Sequence, residues 1–236
     1  TSSRISDDFN AAERIEFSGG KRNTINFEFI KGRLKARYFS SSPQATARYF
    51  KNLYLENPTN ENKYAYISSL KLNNEADLAL NLIDEMLQIF PKNLILNITK
   101  SEILLSDQRI DAAHKNINKV LNISPKNYPA SIVKSKILSA QKETIKAEEI
   151  LRELLINKNN DPGLWLQLSE VQRAGKNIIG YHLSRGEYLM LLGDFESALN
   201  QFKFALALSN NSFQTSETIM TKIKLAQEKL GRRKGF

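Results

Sequence analysis

Three alanines stand in register along this chain. Ala79, Ala113 and Ala147 are spaced 34 residues apart, and each is followed four residues later by a large aliphatic side chain, Ile83, Ile117 or Leu151. Residues at i and i+4 share one face of an α-helix, so each pair sets a small side chain beside a large one on the same stripe. The small residue lets a neighbouring helix approach, and the large one fills the space beside it. Twelve residues beyond the first two alanines lie Pro91 and Pro125, each after an apolar run (Met86, Leu87, Ile89 and Phe90; Val120, Leu121 and Ile123) and each followed by Lys-Asn. A 34-residue unit broken once by a proline turn holds two helices. Neither helix buries its apolar face alone, so successive units must stack.

The same frame reaches further in both directions. One period earlier it puts Ala45 and Tyr49 in the alanine and large-residue slots, with Pro58 one residue beyond the expected proline. One period later it opens on Asp161-Pro162-Gly163-Leu164-Trp165, followed by Leu168 and Ser169. Gly175 then ends a helix early, so that Ile178 to Leu192 must serve two neighbours, as second helix of the Trp165 unit and as first helix of the next. That next unit carries Gly186, Gly193, Ala198, Phe202 and Ala205, with the apolar positions at i, i+4, i+7 on one face. A terminal helix from about Gln214 to Leu230 sets Ile219, Ile223, Ala226 and Leu230 against lysines on its other side, as a cap must. These offsets are those of the tetratricopeptide repeat (TPR). They predict an all-α fold, a TPR-like right-handed superhelix (α-solenoid) of about 11–13 antiparallel helices. Residues 1–26 read as a connector with a short helix over Phe9–Phe17, capped by Ser6 or Asp7; residues 27–232 as the solenoid with its capping helix; residues 233–236 as a basic tail.

Composition narrows the chemistry. With 41% apolar and 25% charged residues the chain is a helix-rich globular protein. The lack of cysteine excludes disulfides and thiolate metal sites and leaves the compartment open. The missing initiator methionine suggests a mature product or an excised segment. The only histidines, His114 and His182, belong to no H-x-x-x-H or H-E-x-x-H pattern. Asp84-Glu85 and Glu148-Glu149 fall on outward helix positions, where carboxylates are solvated. Gly19-Gly20 specifies a turn and no phosphate loop. No catalytic set, metal site or cofactor site is expected in this chain.

The net charge of +9 invites an anionic partner. Zinc-finger, RNA-recognition and KH signatures are absent and no nucleic acid is expected. The slots that break the repeat pattern are more informative. Lys100, Lys134 and Arg185 occupy a position usually held by leucine on the first helix of a unit, and Arg33 occupies the neighbouring small-residue slot. Arg37, Tyr64, Lys71, Lys136 and Arg173 lie beside them. First helices line the inner face of such a solenoid, so these residues describe a basic groove suited to an acidic or carboxylate-bearing segment. The alternative is that the cationic heads reach out to water while their stems pack in the seam.

Taken together, Arg4-Ile5-Ser6-Asp7, the helix with Phe29, Lys31, Arg33, Leu34 and Ala36, the two Pro-Lys-Asn turns, Asp161-Pro162 with Trp165 and Leu168, and Arg185-Gly186-Glu187-Tyr188 leading to Gly193, Ala198 and Ala205 resemble one family. It is the C-terminal TPR region of BepA-type (YfgC-type) periplasmic zinc metallopeptidases. The resemblance implies a non-catalytic periplasmic region, at most peripherally associated with membrane. Its partners would be its own peptidase domain, the outer-membrane β-barrel assembly machinery and client proteins. Zinc is implied only for a catalytic domain that this chain does not contain. Two other readings stay open: a free-standing TPR adaptor in pilus or secretion-system assembly, and a basic-groove binder of anions or nucleic acid.

Overall fold

A computed structural model describes residues 24–209 and 213–234. Among them all regular structure is helical: α1 (Thr24–Tyr38), α2 (Pro43–Glu56), α3 (Asn60–Leu72), α4 (Ala76–Ile89), α5 (Leu94–Ser106), α6 (Ile110–Ile123), α7 (Tyr128–Ala140), α8 (Thr144–Asn157), α9 (Pro162–Ala174), α10 (Ile178–Leu192), α11 (Phe195–Leu208) and α12 (Phe213–Lys234). The all-α expectation and the expected number of helices are met. The stretch Phe9–Phe17 and the final Gly235-Phe236 lie outside the described residues. The chain forms two compact units that divide between Val120 and Leu121, near the end of α6.

A recurring turn sets the antiparallel path within each hairpin. Asn74, Gln108, Lys142 and Lys176 take left-handed backbone, with φ of 60°, 60°, 66° and 59°. The residue after each donates its N–H to the carbonyl five residues back: Glu75 to Leu70 at 3.0 Å, Arg109 to Leu104 at 2.9 Å, Glu143 to Leu138 at 2.9 Å and Asn177 to Gln172 at 2.8 Å. This is the Schellman arrangement, which satisfies carbonyls left over at a helix C-terminus. Its left-handed residue is usually glycine; here all four positions carry side chains, so the turn is hard to see in the sequence. A second set of positions, also 34 apart, starts the following helix. The side chains of Thr59, Asn93, Asn127 and Asp161 accept from the N–H groups of Asn62, Leu96, Ala130 and Gly163 at 2.8–3.2 Å. Each such cap contributes about 1 kcal/mol.

The half-step at α10 follows from the same turn. Gly193 is left-handed, with φ of 77°, and the Asp194 N–H donates to the Leu189 carbonyl at 3.0 Å. A hairpin turn thus recurs half a period after Lys176, where a Pro-Lys-Asn connection would otherwise stand. Helix α10 packs on both α9 and α11, second helix to one and first to the other.

Small residues hold the seams. Ala79, Ala113, Ala147, Ala198 and Ala205 are fully buried, as are Ile83, Ile117 and Leu151, and Phe202 is nearly so. A Cβ at Gly186 would stand 2.3 Å from Cε1 of Phe202, so α10 and α11 meet only because that residue has no side chain. Trp165 packs half-buried against the α8–α9 core around Leu151, Leu155, Leu164 and Leu168, and its Nε1 donates to the Asn159 carbonyl at 2.6 Å.

The first repeat departs from the expected frame. Tyr49 is 45% exposed and Ala45 is exposed too, whereas Thr46 and Phe50 are buried. The turn from α1 to α2 spans residues 39–42, one residue more than residues 73–75 between α3 and α4. That insertion moves the α2 stripe forward by one position. Pro58 carries the same offset, twelve residues after Thr46.

Two substitutions test this packing. Gly186→Ala forces overpacking against Phe202 and lowers unfolding free energy by about 1–3 kcal/mol in denaturant melts. Lys142→Gly relieves a left-handed side-chain residue and raises it by about 0.5–1 kcal/mol.

Candidate functional site

In the first unit, α1, α3 and α5 bring three of the expected groove residues together. Gly32 allows the approach of α1 to α3, since a Cβ there would lie 2.6 Å from the Glu61 carbonyl oxygen. Phe29 then stacks beside Tyr64 with ring centroids 5.0 Å apart. The adjacent Arg33 guanidinium donates to Tyr64 Oη at 2.8 Å and to Thr99 Oγ1 at 2.5 Å, and Tyr64 Oη also bonds Thr99 Oγ1 at 2.6 Å. Glu102 completes the cluster, 2.6 Å from Lys71 Nζ and 3.7 Å from Arg33. Burial works against the Arg33 charge, but Tyr64 and Glu102 more than offset it and hold its pKa above the ordinary value. Burial also pushes the Tyr64 phenol up, with Arg33 opposing. Arg33, Tyr64 and Lys71 are therefore joined in an internal network around one carboxylate. Thr99 and Glu102 escape a reading of the sequence, because their slots carry no repeat-pattern residue.

Lys100 points elsewhere. It is on the side of α5 away from Glu102 and reaches Asp84 of α4 at 2.5 Å. The two line a cavity of about 440 Å³ bounded by α4, α5 and α6. Arg37 of α1 lies over the Tyr38 ring at 5.9 Å.

In the second unit Lys136 of α7 is exposed, and exposed Arg173 of α9 pairs with Glu170 at 2.6 Å. Arg185 of α10 sits over the Tyr188 ring at 4.9 Å. Lys134 of α7 is half-buried; desolvation lowers its pKa, with Glu143 acting against that. Tyr128 donates to the Asp161 carboxylate at 2.5 Å, and burial together with that contact pushes its phenol up to about 12.

The expectation that Glu148 is solvated is corrected. It accepts from Gln172 Nε2 at 2.9 Å, from Arg152 at 2.6 and 2.9 Å and from Asn177 Nδ2 at 3.4 Å, and its side chain is 19% exposed. Burial alone would raise its pKa; the hydrogen bonds from Gln172, Arg152 and Asn177 outweigh burial and hold it below the ordinary value. The position follows Ala147 by one and so borders the seam. One and two units earlier the slot of Gln172 holds Leu138 and Leu104, so here a polar contact replaces an apolar one.

Among the described residues no three His, Cys, Asp or Glu side chains are placed to share a metal ion, and the zinc implied by resemblance is assigned to none of them. No helix of the described residues is long and apolar enough to cross a membrane.

No family model matches the chain, and no curated protein matches it in sequence. Solved structures do resemble it. A tetratricopeptide repeat protein from Parabacteroides merdae is 15% identical, over 96% of this chain and 93% of that one, with a TM-score of 0.52. A thermophilic TPR protein of Thermus thermophilus is 17% identical, over 83% and 98%, with a TM-score of 0.54. The human IFIT1 dimer with m7Gppp-AAAA is 14% identical, over 94% and 55%, with a TM-score of 0.52. At such identities the likeness is one of fold. The chain has the all-α TPR-type fold, which alone does not define a ligand.

Tyr64→Phe leaves Arg33 and Thr99 short of a buried partner and costs about 1–2 kcal/mol in denaturant melts. For Glu148, a folded-state pKa held below the unfolded one gives stability that is present above the unfolded pKa and lost as pH falls through the folded one. Glu148→Gln is accordingly less stable by about 1–3 kcal/mol at neutral pH, and the gap from the parent chain closes in acid, as read from melts across pH.

Proposed function

We propose that this chain is a protein-binding scaffold, the non-catalytic TPR region of a periplasmic metallopeptidase and chaperone-like factor in outer-membrane β-barrel protein assembly and quality control. The observation that carries the reading is the half-step at α10. Trp165, the shared helix with Arg185-Gly186-Glu187-Tyr188 and the Gly193-Asp194 turn are the parts of the resemblance least common among TPR arrays; Trp165 and Gly186 pack at helix seams, and the Gly193-Asp194 turn reverses the chain into α11. Stacked hairpins expose long helix faces on a fixed frame, which suits the capture of extended protein segments. Its partners would be its own peptidase domain, the assembly machinery and client proteins, in the periplasm.

Photo-cross-linkers at the exposed positions Lys136 and Arg173, read in cells, test the proposal. The expected adducts are a peptidase domain carrying H-E-x-x-H and components of the outer-membrane assembly machinery. Adducts confined to pilus or secretion components, with no such peptidase domain in the gene, would contradict it in favour of a free-standing adaptor.

A further inference from the structure

The cavity between α4, α5 and α6 has walls of opposite character. Its α4 wall carries Asp77 and Asp84, and its α6 wall carries Lys115 and Lys119. Between them Lys100 pairs with Asp84, and Arg109 pairs with Asp77 and, at 2.6 Å, with Asp107. Two cations thus serve three carboxylates, and that wall keeps an excess of negative charge. Lys115 and Lys119 are both exposed and have no ion-pair partner among the described residues. They stand one turn apart on a single helix face, about 5–6 Å between Cβ atoms, so the uncompensated positive charge of the cavity lies in two adjacent ammonium groups. The volume, about 440 Å³, falls among those of ligand sites, roughly 300–1,000 Å³.

We propose that this cavity is a docking site for an acidic protein segment, whose carboxylates, about one helical turn apart, are held by Lys115 and Lys119. A nucleic acid suits it poorly. A backbone of uniform negative charge that reached the two lysines would run along Asp77 and Asp84, whereas a peptide can present carboxylates to one wall and neutral or cationic groups to the other. The inference rests on the scaffold reading and specifies the chemistry of one partner. It also moves the acidic-segment site from the first helices, where Glu102 already neutralises Lys71 and Arg33, to the face between α4 and α6.

The test is an NMR titration of the full chain, labelled with 15N, with an alanine-based helical peptide of about 15 residues carrying glutamates at i, i+4. Its controls are the same peptide with glutamine, inorganic phosphate and a DNA duplex. The glutamate peptide is expected to shift the amides of Asn81, Lys115 and Asn116, and the glutamine peptide is not. Lys115→Ala with Lys119→Ala, both at exposed positions, should weaken binding at least about threefold with an unchanged melting curve. Equal shifts from the glutamine peptide, indifference to the double substitution, or stronger binding of phosphate or duplex would overturn the assignment. A failed titration beside continued protein cross-linking from Lys136 and Arg173 removes this site alone; the scaffold reading falls only if cross-linking fails as well.

Discussion

The hydrogen bond from the residue after each left-handed turn to the carbonyl five residues back is the contact on which the rest of the structure depends. It ends one helix, reverses the chain and delivers the next helix at a fixed register, so that Ala79, Ala113 and Ala147 arrive at the seams where only a small residue fits. The Pro-Lys-Asn connections complete the period, with Asn93 and Asn127 capping the next helix. Because both turns recur every 34 residues, the packing at each seam repeats without a single central core. Where a left-handed turn comes early, at Gly193, the register advances by half a unit and one helix belongs to two hairpins.

Much of this is legible in the sequence because packing imposes residue types. The alanine and large-residue pairs, the proline turns and Gly186 opposite Phe202 are each dictated by available volume, so they mark the sequence. The left-handed residues are not marked in this way. Asn74, Gln108, Lys142 and Lys176 tolerate the conformation without being glycine, and only Gly193 shows it openly. In the first repeat the frame is off by one residue, because a longer turn between α1 and α2 moves the stripe from Ala45 and Tyr49 to Thr46 and Phe50. Pro58, displaced by the same single residue, is the sign of it in the sequence.

The charged residues are legible as a set but not as pairs. Which side of a helix a lysine occupies follows from its register, but whether a carboxylate meets it depends on the neighbouring helix. Lys71 and Arg33 share Glu102, while Lys100, two residues before Glu102 in sequence, turns to Asp84 on another helix. Glu148 shows the converse: it borders a seam and is held by Gln172 and Asn177 rather than by water. The net charge of the chain therefore overstates the charge available to a partner, since several cations already serve contacts inside the fold.

Native-state hydrogen exchange tests most directly the claim that α10 is shared. The amides of Asn177 and Asp194 open the two turns that flank this helix. If α10 belongs to both hairpins, the two are protected to within about 1 kcal/mol of each other and of the interior of α10, because they are lost in one cooperative opening. An Asp194 amide exchanging like an unstructured one, or α11 opening while α10 stays closed, would contradict the half-step and the stacked array built on it.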